Sequence, residues 1–397
     1  MASRLYPTTQ RLFLLVVAAL RSLGMEAAFA SPTAFALAAL YLSGLILLEG
    51  RQTPWRMAAW LPARCHDALS RLLREMPVPT RPLLRALCAW AARQGTGYLC
   101  LDEVVIEKPF SKMLPWCGWV YSFAKRRKVY GLHVVVLVSC VGRYRIPVNF
   151  RLWRPRAACR PSPKRRKGGK GHAGRTAHKA GYRTKLQLAE EMLLEVRAWG
   201  LAFEYLVFDG HYTAGWLTKK LSRWDVQWVG LLDPQTRVVH GGKRLPIREL
   251  APAKKKKWRK SLGLRARALS VYAPTFGHLR VVAFRNKAGQ EGFIATNVPD
   301  ARAADLTALV GWKRSRWSIE TAFRDAKQFG GLEACQCRAE CAWVRHVAFA
   351  FVGFVVLQLL RRSPEETLGA AKERLQLEAL RGRLNPPAPL RAHGALV

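Results

Sequence analysis

The chain has 397 residues, half of them hydrophobic, with 66 lysines and arginines against 26 acidic residues and a formal net charge of +40. This length exceeds one typical domain, and the hydrophobic content is enough for a sizeable core. The excess charge would repel itself unless a polyanion neutralised it, which favours nucleic acid over an anionic membrane and leaves DNA and RNA equally open.

Residues 1–92 are predicted to be helical, with apolar runs interrupted by prolines. Leu12–Leu20 is apolar but bracketed by Arg11 and Arg21, which makes it too short to span a bilayer. A signal peptide is conceivable because basic residues precede the run. The continuing helical pattern instead favours a buried bundle, and we expect no membrane partner.

Strand patterns begin with Tyr98–Asp102, a short apolar run that ends in an acid. Two further strands are predicted over Leu132–Cys140 and Tyr144–Phe150, joined by a turn at Gly142. Residues 154–183 are dense in basic residues and glycine, which is typical of a loop with little structure of its own that can bind phosphates. The basic residues predicted to contact nucleic acid there are Lys164, Arg165, Arg166 and Lys167.

A helix is predicted over Thr184–Trp199, followed by the strand Tyr205–Asp209, which again ends in an acid, and a helix over Thr213–Leu221. Short strands with turn residues between them are then predicted in the region 225–300. They cover Gln227–Leu232, Ala268–Tyr272, His278–Phe284 and Gly292–Thr296, and a basic cluster at Lys254–Lys260 interrupts them. Internal repeats and glycine-rich phosphate loops are absent from the sequence.

The segment Lys313–Lys327 is predicted to be one continuous helix. At about 100° per residue, Lys313, Arg316, Glu320 and Lys327 fall within about 60° of one another, which places one carboxylate among three cations. Such a carboxylate suits a divalent metal ion and the cations suit phosphates. A solvated face with charge pairs is the alternative. An apolar helix over Trp343–Leu360 and a partly helical tail follow.

Three acids therefore stand out: Asp102 and Asp209 at strand ends, and Glu320 on a helix. Each acid alone is weak evidence for a catalytic site, because an aspartate that ends a strand is often only a helix cap. Carboxylates at the ends of adjacent strands lie close in space, and three of them cannot all stay ionised without a cation. A pair of Mg²⁺ ions, or Mn²⁺, is the natural complement, and this chemistry acts on phosphodiesters.

Three segments of the chain resemble the cut-and-paste DDE transposases of bacterial insertion sequences. They are Leu101–Glu103, Val207–Tyr212 and Arg316–Glu333. The last is similar to that family's Tyr-Arg-Glu-Lys signature, whose members are three, four and seven residues apart. Lys313 stands in this chain where the signature has tyrosine, so the local DNA contact is expected to differ.

The resemblance implies that Asp102, Asp209 and Glu320 are the catalytic residues and ligands of two Mg²⁺ ions. It also implies that Arg316 and Lys327 hold the DNA backbone. Further DNA contacts are predicted at Lys313, Arg324 and Lys108, although a solvated loop stays open for the last.

Several nearby residues have open assignments. Glu103 is predicted to be an acid beside the site that does not bind metal. His211 could touch a phosphate or assist proton transfer, and an ordinary turn histidine is the alternative. Some relatives hold a flipped base with an aromatic residue, and Trp228 and Trp258 are candidates by position. Trp116, Trp119 and Trp153 lie among basic residues, where base stacking or cation–π contact is possible.

The fold class implied by the resemblance is α/β, a ribonuclease-H-like core with a β-rich insertion and a helical N-terminal region. The predicted domains are a DNA-binding region (1–92), two parts of the core (93–224 and 301–362), the insertion (225–300) and a C-terminal tail (363–397). Nine scattered cysteines indicate reduced thiols in a cytosolic protein. A zinc site at Cys335, Cys337 and Cys341 is disfavoured, because a second ligand pair at suitable spacing is missing.

The sequence thus predicts a transposase that cleaves DNA ends and transfers strands by a two-metal DDE mechanism. The partners implied by the resemblance are double-stranded element ends, target DNA and a second copy of the chain, in the cytoplasm of a bacterium and associated with its nucleoid. Two alternatives remain: a domesticated or inactive relative that binds nucleic acid without cutting, and a basic scaffold whose acids are structural.

Overall fold

The computed structural model describes residues 7–60, 66–76, 78–111, 114, 116–122, 125–155, 182–250, 256–298 and 306–384. The predicted contacts at Lys164, Arg165, Arg166 and Lys167 lie outside these residues. The chain forms two compact units, one from Met1–Trp90 with Phe323–Val397 and the other from Ala91–Ala322.

The described part of the chain begins with five helices. They are α1 (Pro7–Ser22), α2 (Pro32–Leu47), α3 (Pro54–Trp60), α4 (His66–Arg74) and α5 (Thr80–Arg93). The start of α2 follows from local chemistry: the Ser31 side chain accepts a hydrogen bond from the N–H of Ala34 at 3.2 Å, and Pro32 occupies the first turn. Most of α2 is buried, which agrees with the predicted N-terminal helical bundle.

The second unit is built around strands. They are β1 (Gly97–Glu107), β2 (Gly118–Ser122), β3 (Arg127–Val141), β4 (Tyr144–Trp153), β5 (Phe203–Phe208), β6 (Trp228–Leu232), β7 (Arg237–His240), β8 (Lys243–Pro246), β9 (Lys257–Arg259), β10 (Leu264–Ala273), β11 (Gly277–Asn286) and β12 (Glu291–Thr296). Helices α6 (Lys185–Ala198), α7 (Gly215–Arg223) and α8 (Ile247–Leu250) lie between them, and α9 (Leu306–Ser315) follows them. The strands that the sequence did not predict are β2, β7, β8 and β9, of which β9 falls inside the predicted basic cluster.

The twelve strands found among the described residues belong to one sheet. At its centre β3 pairs antiparallel with both β1 and β4, while β1, β5 and β6 run parallel. Parallel neighbours need crossover connections, which α6 and α7 provide between β4 and β5 and between β5 and β6. Strand order β4-β3-β1-β5-β6 with these directions is the ribonuclease-H-like arrangement, so the predicted fold class is confirmed.

The strands between β6 and α9 extend this sheet. Strand β12 pairs antiparallel with β6, and β11 and β10 continue outward from it. The sheet is therefore continuous from the core strand β6 through β12 and β11 to β10.

The chain then enters α10 (Trp317–Gln328), α11 (Glu340–Leu359) and α12 (Leu368–Leu384). Among the described residues, α11 is the one helix long and apolar enough to cross a membrane, and 83% of its apolar stretch is buried. Within the first unit the Tyr41 hydroxyl of α2 lies 2.7 Å from Nδ1 of His346 on α11. This buried polar contact joins the two most apolar helices.

Candidate active site

Asp102 and Asp209 are brought together by the parallel pairing of β1 with β5. Leu101 is in register with Phe208, so each aspartate directly follows a paired residue. The prediction that Asp102 ends its strand is wrong, because β1 continues to Glu107 through its pairing with β3. Strand β5 does end at Phe208, since the Asp209 carboxylate accepts the N–H of His211 at 2.9 Å and turns the chain.

The predicted continuous helix from Lys313 to Lys327 is also wrong, because a turn at Arg316 separates α9 from α10. The Ser315 hydroxyl donates to the carbonyl of Trp312 at 2.6 Å, and the N–H of Arg316 donates to the carbonyl of Lys313 at 3.3 Å. Side-chain competition for helix carbonyls and a tightened last turn end α9 at this point. Glu320 consequently lies in the first turn of α10, where a carboxylate is favourable.

Arg316 connects two of the three predicted acids. Its Nη1 donates to Oδ2 of Asp102 at 2.6 Å, and its Nη2 donates to Oε1 of Glu320. The side chains of Asp102 and Arg316 are only 15% and 19% exposed, so this ion pair is shielded from water. The guanidinium thus stands between carboxylates that come from β1 and α10.

The charges of five predicted site residues act on one another. Burial, and next the charge of Asp209, raise the pKa of the Asp102 carboxyl to about 7, although Arg316 opposes the rise. Burial and then Arg316 lower the pKa of Lys313 to about 8, while Asp209, Asp102 and Glu320 act to raise it. The structure therefore assembles three acids and two cations at this end of the sheet.

The donor chemistry suits a divalent metal ion, but the side chains are not gathered around one. Carboxylate oxygens are the ligands that Mg²⁺ prefers, and burial together with the charge of Asp209 raises the pKa of the Asp102 carboxyl despite Arg316. In the described ranges no three His, Cys, Asp or Glu side chains lie close enough to hold a metal. Arg316 supplies the countercharge for Asp102 and Glu320 instead.

Glu103, next to Asp102, has a different environment. Its carboxylate accepts hydrogen bonds from Lys185 Nζ and from the Tyr212 hydroxyl, both at 2.5 Å. Burial alone would raise its pKa, but the charge and hydrogen bond of Lys185 and the bond from Tyr212 hold the pKa below its usual value. Adjacent strand residues point to opposite faces, so Glu103 faces away from Asp102. That Glu103 binds no metal stays a prediction.

Sequence reasoning assigned no role to Lys185 or Tyr212. Lys185 begins α6 directly after Thr184, whose side chain and that of Gln187 form a reciprocal N-terminal cap. Tyr212 lies three residues after Asp209, in the turn made by that aspartate. The helix cap was readable from the sequence, but the partner of each side chain was not.

Replacing Tyr212 by phenylalanine is expected to destabilise the protein by about 1.5–3 kcal/mol, because a buried hydrogen bond to a carboxylate is lost. Thermal and urea unfolding measure this change. Tyr272→Phe is the matched control, since that hydroxyl belongs to a side chain 44% exposed. Equal stability of the two variants would show that the Tyr212 bond contributes nothing to folding.

The other predicted DNA contacts have local partners. Arg324 forms an ion pair with Asp325 at 3.0 Å, and Lys327 one with Glu333 at 2.7 Å. Both residues belong to the part of α10 in the first unit. Lys108 is largely buried just past the end of β1, so it is not the solvated loop residue of the alternative interpretation. Their contacts with DNA stay predictions.

Two tryptophans were candidates for holding a flipped base, and the prediction for Trp228 is wrong. Its side chain is fully buried and stacks on Phe208 with ring centroids 5.8 Å apart, so it is part of the core. Trp258 lies on β9 and is 49% exposed. His211 is exposed and its backbone closes the Asp209 turn.

Comparison with known proteins gives one family. The model of the DDE superfamily endonuclease matches residues 25–293, which is more than half of the chain and includes Asp102 and Asp209 but not Glu320. No curated protein matches the chain. A solved structure of a piggyBac transposase synaptic complex with hairpin DNA aligns with a TM-score of 0.45 and 11% identity, over 96% of this chain and 80% of that one. By the family match, the chain belongs to the DDE superfamily of endonucleases.

Proposed function

We propose that this endonuclease-family protein is a DNA transposase that cleaves the ends of a mobile element and joins them to target DNA. One observation carries the proposal: Asp102 and Asp209 meet at adjoining parallel strands, and Glu320 reaches Asp102 through Arg316. Acids from three separate segments meet in a protein with a net charge of +40. A solvated, structural role for each acid would not require them to converge.

In this proposal Asp102, Asp209 and Glu320 hold two divalent ions, Mg²⁺ or Mn²⁺. Bound there, the ions would activate a water or a 3′-hydroxyl and stabilise the leaving oxygen of a phosphodiester. Arg316 neutralises Asp102 and Glu320 in the absence of metal. Its release from them would free both carboxylates and leave a guanidinium available for a DNA phosphate.

Lys313 supports the same assignment. It stands where the insertion-sequence transposases that this segment resembles have tyrosine, and its charge interacts with all three acids. An ammonium group there can bind a phosphate but cannot stack on a base. The proposed partners are double-stranded element ends, target DNA and a second copy of the chain, with a cytoplasmic, nucleoid-associated location in a bacterium.

A second candidate is a relative that binds DNA without cutting it. It is favoured by the Arg316 ion pairs, which occupy two of the three acids, and by the lack of an assembled ligand group among the described residues. Such a relative would have the same fold and the same basic charge as an active transposase and would differ only in that it does not cleave DNA.

A strand-transfer assay separates the two candidates. Labelled element ends are incubated with Mg²⁺ and either the wild-type protein or Glu320→Gln. We expect products from the wild type and none from the variant, with DNA binding retained in both. Products from Glu320→Gln would contradict the ligand assignment, and DNA binding without products from either protein would favour the non-cutting relative.

A further inference from the structure

The edge of the sheet carries an exposed aromatic surface that the proposed chemistry does not use. Strands β2 and β3 pair antiparallel, with Trp119 opposite Tyr130 and Tyr121 opposite Lys128. Residues directly opposite in such a pair have their side chains on the same face. These four side chains, which we name the hairpin platform, therefore share one face of the β2–β3 hairpin.

The hairpin platform is not needed to fill the core. The other face of the hairpin holds Val120 and Val129, which are buried and anchor it. On the platform face Trp119 is 67% exposed and Tyr121 is 44% exposed. Phe110, 98% exposed, follows the end of β1 closely. Large apolar side chains exposed together mark a binding surface.

The charge around the hairpin platform identifies the partner. The turn into β3 and the first two residues of that strand are four consecutive cations, Lys125 to Lys128, all exposed. Glu107 pairs with Lys125 at 2.8 Å and offsets one of them. A basic turn beside exposed aromatic rings suits a nucleic acid, whose phosphates meet the cations while its bases stack on the rings.

Flat rings of this kind select unpaired bases. In a duplex each base is covered by its neighbours, whereas an unstacked base offers a free face to tryptophan or tyrosine. The Trp119 and Tyr130 rings lie roughly perpendicular, with centroids 5.7 Å apart and planes at 81°. Trp119 is 67% exposed despite this contact, so much of the indole is accessible to a base.

The register relates the hairpin platform to the proposed active site. Asp102 is opposite Val136 and Ile106 is opposite Leu132, and the alternation continues to Tyr130, so Asp102 and the hairpin platform lie on one face of the sheet. Five to six residues of strand separate them, or about 20 Å. Ile106 and Leu132 between them are buried, which makes the hairpin platform a separate site.

We propose that the hairpin platform binds unpaired bases of single-stranded DNA, with Trp119 and Tyr121 stacking on bases and Arg126 and Lys128 contacting phosphates. The inference rests on the proposed function for the choice of DNA as the nucleic acid. It adds a site for a DNA strand whose pairing has been opened near the cleavage point.

Binding is measured by fluorescence anisotropy with a labelled oligothymidylate and with a blunt duplex, both in EDTA. Trp119→Ala is expected to weaken binding of the single strand about tenfold and to leave duplex binding unchanged. Trp119→Phe should restore most of the loss, because a phenyl ring still stacks. Trp216→Ala is the matched control, an exposed tryptophan whose ring already faces Lys220 at 5.5 Å.

Substituting the cations is expected to change DNA binding in a different way. Removing Arg126 and Lys128 together should weaken both DNA forms and reduce the salt dependence of single-strand binding by about 0.7 per charge in the log–log slope. These binding measurements are made in EDTA and do not depend on catalysis. They can therefore be interpreted even if the protein fails to transfer strands.

Three outcomes would overturn the proposal. Equal loss on single strand and duplex for Trp119→Ala would make the surface a backbone contact only. Unchanged DNA binding with altered oligomeric state in light scattering would make it an interface between copies of the chain. Unchanged DNA binding with weaker sedimentation on anionic vesicles would make it a membrane contact.

Discussion

Replacing Asp102 by asparagine is expected to lower metal-dependent DNA cleavage by on the order of 1000-fold, equivalent to about 4 kcal/mol of transition-state stabilisation. Asparagine keeps the shape of the side chain but loses the charge that a metal ligand needs. DNA binding should persist, because the basic residues are unchanged. The measurement is cleavage of a labelled element end under single-turnover conditions.

The same substitution is expected to stabilise the protein when metal is absent. The pKa of Asp102 rises from 3.8 to about 7 on folding, so the folded protein takes up a proton in that window and loses stability as the pH rises through it. In Asp102→Asn that dependence disappears. At about pH 8 in EDTA the variant should be more stable by about 2–4 kcal/mol, and at about pH 4 the difference should vanish.

Asp102→Asn is thus expected to lower activity and raise stability. Urea unfolding at several pH values, together with the cleavage assay, tests both effects. Glu204→Gln is the matched control, an exposed acid on β5 whose loss should change neither property. Added Mg²⁺ should stabilise the wild type more than Asp102→Asn. Retained cleavage in the variant, or an unchanged pH dependence of stability, would contradict the role given to Asp102.

Trp228→Ala is expected to destabilise the protein by about 3–5 kcal/mol, a large share of the stability of a typical domain. The indole is fully buried at the start of β6 and stacks on Phe208, the last residue of β5. Truncation leaves a cavity directly beneath the strand that positions Asp209. Urea unfolding, followed by circular dichroism, measures the loss.

The substitution Trp228→Phe separates the contribution of ring packing to stability from that of the buried indole N–H. Phenylalanine keeps an aromatic ring against Phe208 and removes an indole N–H that has no hydrogen-bond partner within the described ranges. We expect a loss of only about 1–2 kcal/mol for this variant. If both variants unfolded like the wild type, the core position of Trp228 would be wrong.

Much of the fold could be read from local patterns. The predicted strands at Leu132–Cys140 and Tyr144–Phe150 fall within β3 and β4, and the turn between them does contain Gly142, with φ of +50°. The helix predicted over Thr184–Trp199 agrees with α6 to within a residue at each end. Periodic apolar spacing and turn residues are local properties, and they carried these predictions.

The errors occurred where a long-range contact decides the structure. Asp102 was predicted to end a strand because the apolar run stops there, yet pairing with β3 carries β1 on to Glu107. The helix through Arg316 was predicted from its periodicity. A turn at that residue instead lets its guanidinium reach Asp102, 214 residues earlier in the chain.

The sequence by itself predicted a nucleic-acid partner, the α/β alternation and the three acids, since charge, periodicity and a resemblance to a family signature are present in the order of residues. Only the tertiary structure decided which charges meet. Arg316 donates hydrogen bonds to both Asp102 and Glu320. Glu103 instead accepts hydrogen bonds from Lys185 and Tyr212. Ion pairs act over a few ångströms in space. Apart from Arg316 and Glu320, which are four residues apart, these partners are far apart in the chain, and no local pattern indicates their contacts.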